Sequence, residues 1–375
     1  MKILFLIFHG FSEFSGISKK IHYQVNGLRE AGHEVDLCYY TVDSDEHRRR
    51  MINVEVLEDY GYGKLASIKK RILYSSIMHY AIINKIELIY MRSDHNANPF
   101  TINFIHKLKK HNIKTVMEIP TYPYDLEYNG FPLQSKIELF TDKCFRKYLA
   151  KQLFRISTFS DNNTIFGTKT IKISNGIDFS QIKLKSDPQK NYISFHLIGV
   201  AEIHYWHGFD RVIKGIGEYY QQSYEKEVYF HIVGGVGPSE ISVFKPIIQK
   251  YNIEKYIIFH GTKFGNDLDI LFEEANFGIA SLARHRSNIT DIKTLKNREY
   301  AARGIPFMYS EIDSDFENKP YILKATADES SIDIQKIISF YDQCTCTPLE
   351  IRNSIKNLSW KIQMQKVVDE VLNNR

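Results

Sequence analysis

Short apolar runs alternate with amphipathic segments along this chain, and the alternation starts over once. That doubled pattern constrains the fold more than any other feature. "KILFLIF" reads as a buried first strand, and "GISKKIHYQVNGLREAG" follows with Ile17, Ile21, Val25 and Leu28 at helical spacing. The helix is predicted to stop at Gly32, before the strand "HEVDLCYY". "IELIYMR" and "KTVMEIP" are further strands separated by the basic helix "FTINFIHKLKKHNI", and "RISTFS" and "TIKISNG" close the half. Strands separated by helices predict a parallel sheet covered on both faces.

A polar connector, "NGIDFSQIKLKSDPQKN" with its Asp187-Pro188 step, precedes the restart. The strands "YISFHLIGV", "VYFHIVGG", "YIIFHG", "FGIASL" and "IPFMYS" then alternate with the helices "FDRVIKGIGEYYQ", "VFKPIIQKY", "LDILFEEA" and a stretch ending in "EYAARG". A chain of 375 residues suits two α/β domains better than one core. The boundary falls near residues 178–190, giving an N-terminal domain over 1–180 and a second over 190–358. The closing helix, "SWKIQMQKVVDEVL" (about 359–375), has no strand after it and is expected to cross back to the first domain. Two Rossmann-like, doubly wound domains facing each other would make a cleft, with ligands at the carboxyl ends of the strands.

With 43% hydrophobic and 25% charged residues, large-scale disorder is excluded. A net charge of +5 suits an anionic small molecule or an acidic membrane surface and is too small to indicate nucleic acid. Cys344 and Cys346 lack nearby histidines, so zinc is not expected and reduced thiols are. "MKILFLIFHGF" is too short to span a bilayer and lacks a signal-peptide cleavage pattern, so a cytoplasmic protein is expected. The basic runs "HRRR", "SIKKRI" and "HKLKKH" are either solvated helix faces or contacts to an anionic membrane that carries a lipid-linked acceptor.

The stretch "DIKTLKNREYAARGIP" sets two acids in basic surroundings. Thr290 or Asp291 can cap a helix that Gly304 and Pro306 end, with Glu299 two turns in. Glu299 then either forms a surface ion pair with Arg303 or Lys296, or accepts hydrogen bonds from the two hydroxyls of a ribose. An acid at the helix mouth can accept from a sugar hydroxyl. The helix start between them offers N–H groups and a positive dipole end to phosphates, with Thr294 and Leu295 among the donor-binding candidates.

The D-x7-E spacing followed by "YAARGIPF" resembles the E-x7-E signature of retaining glycosyltransferases with the GT-B fold, especially family 4. "FSGISKKIHYQVNGLREAGHEV" with Gly16, "ISNGID" and "IVGGVGP" with Gly234 resemble, in order, three further segments of that family. "EIPTYPYDLE", "WHGFDR" and "LKNREYAARGIPF" resemble a branch that assembles bacterial surface or capsular polysaccharide. The resemblance implies transfer of a hexose from a UDP- or GDP-sugar to a glycan or lipid-linked acceptor, with retention and without a metal or other cofactor. Asp291 would hold the donor sugar and Glu299 the ribose. The family's diphosphate-binding Arg and Lys are replaced here by Val200 or Ala201 and by His207, which leaves His207, Arg211, Arg284 and Arg286 as the cationic candidates near the leaving group. Arg92, Asp94 and His95 in "YMRSDHN", and Glu118, Thr121, Tyr124 and Asp125 in "MEIPTYPYD", follow strand ends and are the acceptor-side candidates. An epimerase on the same architecture, an exported sugar-binding protein and a degenerate scaffold subunit are the alternatives. A Rossmann dehydrogenase is disfavoured because "HGFSEFSG" is not G-x-G-x-x-G.

Overall fold

The structure is a computed structural model that describes residues 1–12, 16–125, 133–187, 193–222 and 225–374. Glu13–Ser15 before the first helix, Leu126 and Glu127 of "EIPTYPYDLE", and Pro188–Tyr192 of the connector lie outside the described residues. The chain divides into two compact units, one of residues 1–174 with 360–375 and one of residues 175–359.

The first unit is built on β1 (Lys2–Leu6), β2 (Glu34–Val42), β3 (Arg48–Ile52), β4 (Glu55–Asp59), β5 (Leu88–Arg92), β6 (Lys114–Ile119), β7 (Arg155–Thr158), β8 (Thr164–Ile165) and β9 (Thr168–Lys172). They lie in the order β4-β3-β2-β1-β5-β6-β7-β9-β8. β2, β1, β5, β6, β7 and β9 are parallel, while β3, β4 and β8 pair antiparallel at the rims. Successive residues of a strand face opposite sides. Ile3 and Phe5 therefore join α1 (Gly16–Glu30) and the closing helix on one face, while Leu4 and Leu6 join α3 (Ser75–Ile83), α4 (Pro99–Lys110) and α5 (Leu133–Ala150) on the other; α2 (Gly63–Ile72) packs Ala66 against Tyr40 and Tyr60. The run "HRRR" is not a helix face but leads into strand β3. Arg50 is buried there and donates to the Tyr60 hydroxyl, to Lys70 O at 2.8 Å and to Ile7 O.

The second unit contains β10 (Ser194–Val200), α6 (Phe209–Tyr220), β11 (Glu227–Val233), α7 (Pro238–Tyr251), β12 (Ile257–Gly261), α8 (Gly265–Glu274), β13 (Phe277–Ile279), α9 (Leu295–Arg303), β14 (Phe307–Tyr309), β15 (Ile322–Lys324), α10 (Ile334–Gln343) and α11 (Pro348–Asn353). Its six strands are all parallel, ordered β12-β11-β10-β13-β14-β15. Both faces are covered, by α6, α7 and α10 on one side and by α8, α9 and α11 on the other. The chain then returns to the first unit as α12 (Trp360–Asn373), whose Met364, Val367, Val368 and Val371 are buried against α1 and β1. Gly27 makes this docking possible, because a Cβ there would stand 2.6 Å from the Trp360 carbonyl carbon. Among the described residues no helix is long and apolar enough to cross a membrane.

Candidate functional site

In the second unit the chain runs from β10 outward to β11 and β12, then jumps back to β13 on the other side of β10. Such a reversal splays the connections that leave the two central strands and opens a crevice at their carboxyl ends. Three segments emerge there: Ala201–Gly208 after β10, Ala280–Thr294 after β13, and Ser310–Asp315 after β14. The first two are tied together, since the Leu282 N–H donates to His207 O at 3.0 Å and the Ala283 N–H to Trp206 O at 3.2 Å.

Four ionisable side chains converge on this crevice. His207 is buried, and its Nδ1 accepts from the His204 N–H at 2.9 Å, so the neutral ring carries its proton on Nε2. Burial, then the charges of Lys296 and Arg284, push the imidazole down to about 2. Arg284 stands with its guanidinium 5.6 Å from the Trp206 ring centre, and its buried Nε has no acceptor. Lys296, in the first turn of α9, is half-buried along its stem while its Nζ is sealed and unpartnered. Burial pushes the ammonium down to about 7, Arg284 acting in the same direction and Glu311 against it. Glu311 is 2% exposed, with neither carboxyl oxygen hydrogen-bonded. Its burial pushes the carboxyl up to about 7 despite its own backbone N–H and the charges of Arg284 and Lys296. Buried polar groups are almost always satisfied. A set of four with this many open valences, on the segments that follow β10, β13 and β14 and the first turn of α9, is arranged to receive a ligand.

The helix start differs from the expectation. Thr294, not Thr290 or Asp291, caps α9, its hydroxyl accepting from the Asn297 N–H at 3.4 Å. Asp291 instead lies in an extended bridge to Ile312, which fixes residues 290–292 beside the segment that carries Glu311. Asp291 is exposed. Leu295 is the first helical residue, and Glu299 comes one turn later. Glu299 Oε1 accepts from Arg303 Nε and Nη2 at 3.1 and 3.0 Å, so the surface ion pair exists. Arg303 is itself held by Asp269 at 2.6 Å, and Glu299 Oε2 keeps its lone pairs free of protein donors.

The remaining cations divide clearly. Arg211 has five N–H groups. They are spent on the carbonyls of Ser330, Leu282 and Thr326 and on the side chains of Asp328 and Ser330, so Arg211 ties loops together and has no donor left for a ligand. Arg286 is bound to Asp210, Glu329 and the Tyr205 carbonyl. Only His207 and Arg284 of the four expected cations face the crevice with capacity to spare. Gly234, at φ +128°, lies in the turn after β11, where a Cβ would stand 1.7 Å from Ala201 O. Its bareness lets the β10 and β11 turns touch. Gly16, the first residue of α1, is exposed in the first unit.

The acceptor-side candidates lie in the first unit, at the ends of β5 and β6. Arg92 and Glu118 face each other across those strands and form a buried ion pair. Glu118 also accepts from Gln24 and from the Tyr90 hydroxyl at 2.7 Å, with Lys20 at 3.9 Å. Burial raises its carboxyl and is outweighed by Lys20 and Arg92, so its pKa ends below the usual value. Tyr124 donates to Asp142 at 2.6 Å, and its ring lies 4.5 Å from that of His95. Asp94 pairs with Arg71 at 3.2 Å and Asp125 with Arg146 at 2.6 Å. Both Glu118 oxygens are thus occupied inside the unit, and Arg92 is one of their partners.

Two residues of the crevice escaped the sequence reading as ligand groups. Lys296 figured only as an ion-pair partner of Glu299, which it does not contact as one. Glu311 did not figure at all, although a charged residue directly after the short apolar strand "IPFMYS" was a signal for it.

This pair of parallel-sheet units, with the last helix returned to the first, is the GT-B fold of glycosyltransferases. No protein-family model matches the chain, and no curated protein matches it in sequence. Solved structures do. The sucrose-phosphate synthase of Thermosynechococcus elongatus matches with a TM-score of 0.66 and 14% identity over 100% of both chains. The lipopolysaccharide outer core galactosyltransferase WaaB, in its apo form, matches at 0.61 and 10% identity, again over 100% of both. Anabaena HepE in complex with UDP matches at 0.59 and 14% identity over 100% of both chains. At these identities the likeness is one of fold.

Proposed function

We propose that this chain is a glycosyltransferase that transfers a hexose from a UDP- or GDP-sugar to a glycan or lipid-linked acceptor, in the assembly of a surface polysaccharide. The observation that carries the reading is the pair Arg284, in the segment after β13, and Lys296, in the first turn of α9, whose buried nitrogens Nε and Nζ have no acceptor. Two half-buried cations whose sealed nitrogens lack acceptors are costly unless an anion joins them. A diphosphate supplies that anion, and the first-turn N–H groups of α9 add to its binding. The similar structures include HepE with UDP and with UDP-glucose, which agrees with a nucleotide-sugar partner.

In this reading Arg284, Lys296 and the His207 Nε2–H stabilise the charge that develops on the leaving diphosphate as the glycosidic bond breaks. They take the place of the Arg and Lys that the family-4 pattern would supply after β10. Glu299, oriented by Arg303, offers Oε2 to the ribose, and Asp291 accepts from a hydroxyl of the donor sugar. Transfer proceeds with retention, the departing phosphate oxygen taking the acceptor's proton on the same face, without a metal. The loops after β5 and β6 in the first unit, with His95 and Tyr124, are the acceptor side, and the protein works at the cytoplasmic face of a membrane.

Calorimetric titration of UDP, GDP, ADP and their sugar conjugates tests the assignment. The wild type is expected to select one nucleotide, with binding about tenfold weaker in Glu299→Ala and at least as weak in Arg284→Ala. Undiminished binding in both variants, or no binding to the folded wild type, would sink it.

A further inference from the structure

The donor-site reading uses the cations of the crevice but leaves its acid unexplained. Glu311 is 2% exposed, stands two residues past β14, and has two sealed oxygens without a side-chain hydrogen-bond donor. Its backbone is pinned. The neighbouring Ile312 exchanges hydrogen bonds with the 290–292 segment, donating to Thr290 O at 2.7 Å and accepting from the Ile292 N–H at 3.0 Å, and Lys324 Nζ donates to Glu311 O. The main chain thus places the carboxyl, which takes no side-chain hydrogen bond. Arg284 from the turn after β13 and Lys296 from α9 are near enough for their charges to act on it, yet neither closes a hydrogen bond or ion pair with it. His207, neutral, is near enough to feel both cations, and Asp313 on the same segment adds a like charge while engaged with Arg298.

A group bridging this space must accept from Arg284 and Lys296 and still tolerate a carboxyl on its third side. A carboxylate would repel a diphosphate there. A carboxylic acid would not, since its O–H donates to a phosphate oxygen. We infer that Glu311 is a ligand-contacting residue of the donor site, standing as the neutral acid when a nucleoside diphosphate is bound and donating a hydrogen bond to it between Arg284 and Lys296. The inference rests on the donor-site reading above. The proton comes from solvent: an entering anion stabilises the protonated forms of Glu311 and Lys296, so nucleotide binding takes up protons and weakens as pH rises through the neutral range. The unloaded site already holds Glu311 close to its titration midpoint at neutral pH, so the protonated form is within easy reach.

The test is calorimetry of the preferred nucleoside diphosphate at pH 6.5, 7.5 and 8.5, in paired buffers of different ionisation enthalpy. It compares wild type, Glu311→Gln and Glu311→Ala, with thermal melts confirming that each variant folds. Glu311→Gln keeps a neutral hydrogen-bond donor. It is expected to bind at least as tightly as wild type at pH 8.5, to show a flatter pH dependence, and to take up roughly half a proton less per nucleotide near pH 7. Glu311→Ala is expected to bind about tenfold more weakly at every pH. If Glu311→Gln loses as much affinity as Glu311→Ala, the anionic form is the one required and the inference is overturned. If both variants match wild type in affinity and proton uptake, Glu311 is outside the site. A folded wild type that binds no nucleotide overturns the donor reading itself, an outcome separate from either of these.

Discussion

Each unit buries a cluster of charge at the carboxyl ends of its central strands, and the two clusters are finished differently. In the first, Glu118 is enclosed by Arg92, Lys20, Gln24 and Tyr90, and its acidity is strengthened. In the second, Glu311, Lys296 and Arg284 share a space without bonding to one another, and both Glu311 and Lys296 are pushed toward their neutral forms. The residue types are nearly the same. What separates them is closure: a carboxylate with cations in contact holds α1 to β5 and β6, whereas an acid and two cations out of contact keep their hydrogen-bonding capacity. Burial and charge alone do not mark a binding site. Unspent hydrogen-bonding capacity does.

The largest effect should come from opening the closed cluster. Glu118→Ala leaves Arg92 and Lys20 buried without their anion, and breaking such a pair costs about 3–5 kcal/mol. The chain's two tryptophans make the measurement specific, since Trp206 lies in the second unit and Trp360 in the first. Urea unfolding followed by Trp360 fluorescence in a Trp206→Phe background should show the loss. A change below about 1 kcal/mol would mean that the Glu118 network is ornamental and the contrast between the clusters is false.

Neutralising the open cluster should do the reverse. Lys296→Met removes a buried ammonium that has no partner and replaces it with a side chain of similar length. Stability of the second unit, read from Trp206 in a Trp360→Phe background, should hold or rise, by up to about 1–4 kcal/mol. Nucleotide affinity should fall roughly 100-fold, the loss of a charge-assisted contact worth about 1.5–3 kcal/mol. Affinity and stability falling together would place Lys296 among the structural residues, with Arg298. That side chain is its buried neighbour on α9, bound to Asp313, Asp315, Asn175 O and Thr294 O.

Much of the fold was legible because burial on both faces writes parallel strands as unbroken apolar runs. β1, β5, β6, β10 and β11 all announce themselves that way. The β3–β4 hairpin did not, since its strands carry Arg48–Arg50 and acids in place of a clean alternation, and Arg50 is buried by hydrogen bonds that no pattern reveals. Asp291 and Glu299 stood out through their spacing, whereas the true cap, Thr294, competed with two equally good capping residues upstream. The extended bridge to Ile312, a contact 21 residues distant in sequence, decided it. Arg211 looked like Arg284 in the sequence. Five acceptors drawn from Leu282 and from residues 326–330 separate them, and such long-range partners are invisible without the fold.

The two clusters should also respond to pH with opposite sign, a subtler effect of about 1–2 kcal/mol that sharpens the comparison most. Glu118 titrates lower in the folded chain than in the unfolded one. Its contribution is present above the ordinary glutamate range and is lost as pH falls through the depressed value, so the first unit is weakened by acid. Glu311 titrates higher, at about 7 against an ordinary 4.5, and between those values the folded chain binds more protons than the unfolded. Stability from Glu311 is thus full below pH 4.5 and declines as pH rises to 7. Lys296 titrates at about 7 against an ordinary 10.5, so above pH 7 the unfolded chain binds more protons and stability climbs again toward pH 10.5. Together they give the second unit a dip in stability near neutral pH. Trp206-detected unfolding from pH 5 to 9 should show that dip in the unloaded protein. Glu311→Gln should remove its acid-side slope and Lys296→Met its alkaline side. Saturating nucleotide should fill it, because the ligand supplies the partners both groups lack. A flat profile, or one that ignores both substitutions, would mean that the open cluster is already compensated and would erase the difference on which its role as a binding site depends.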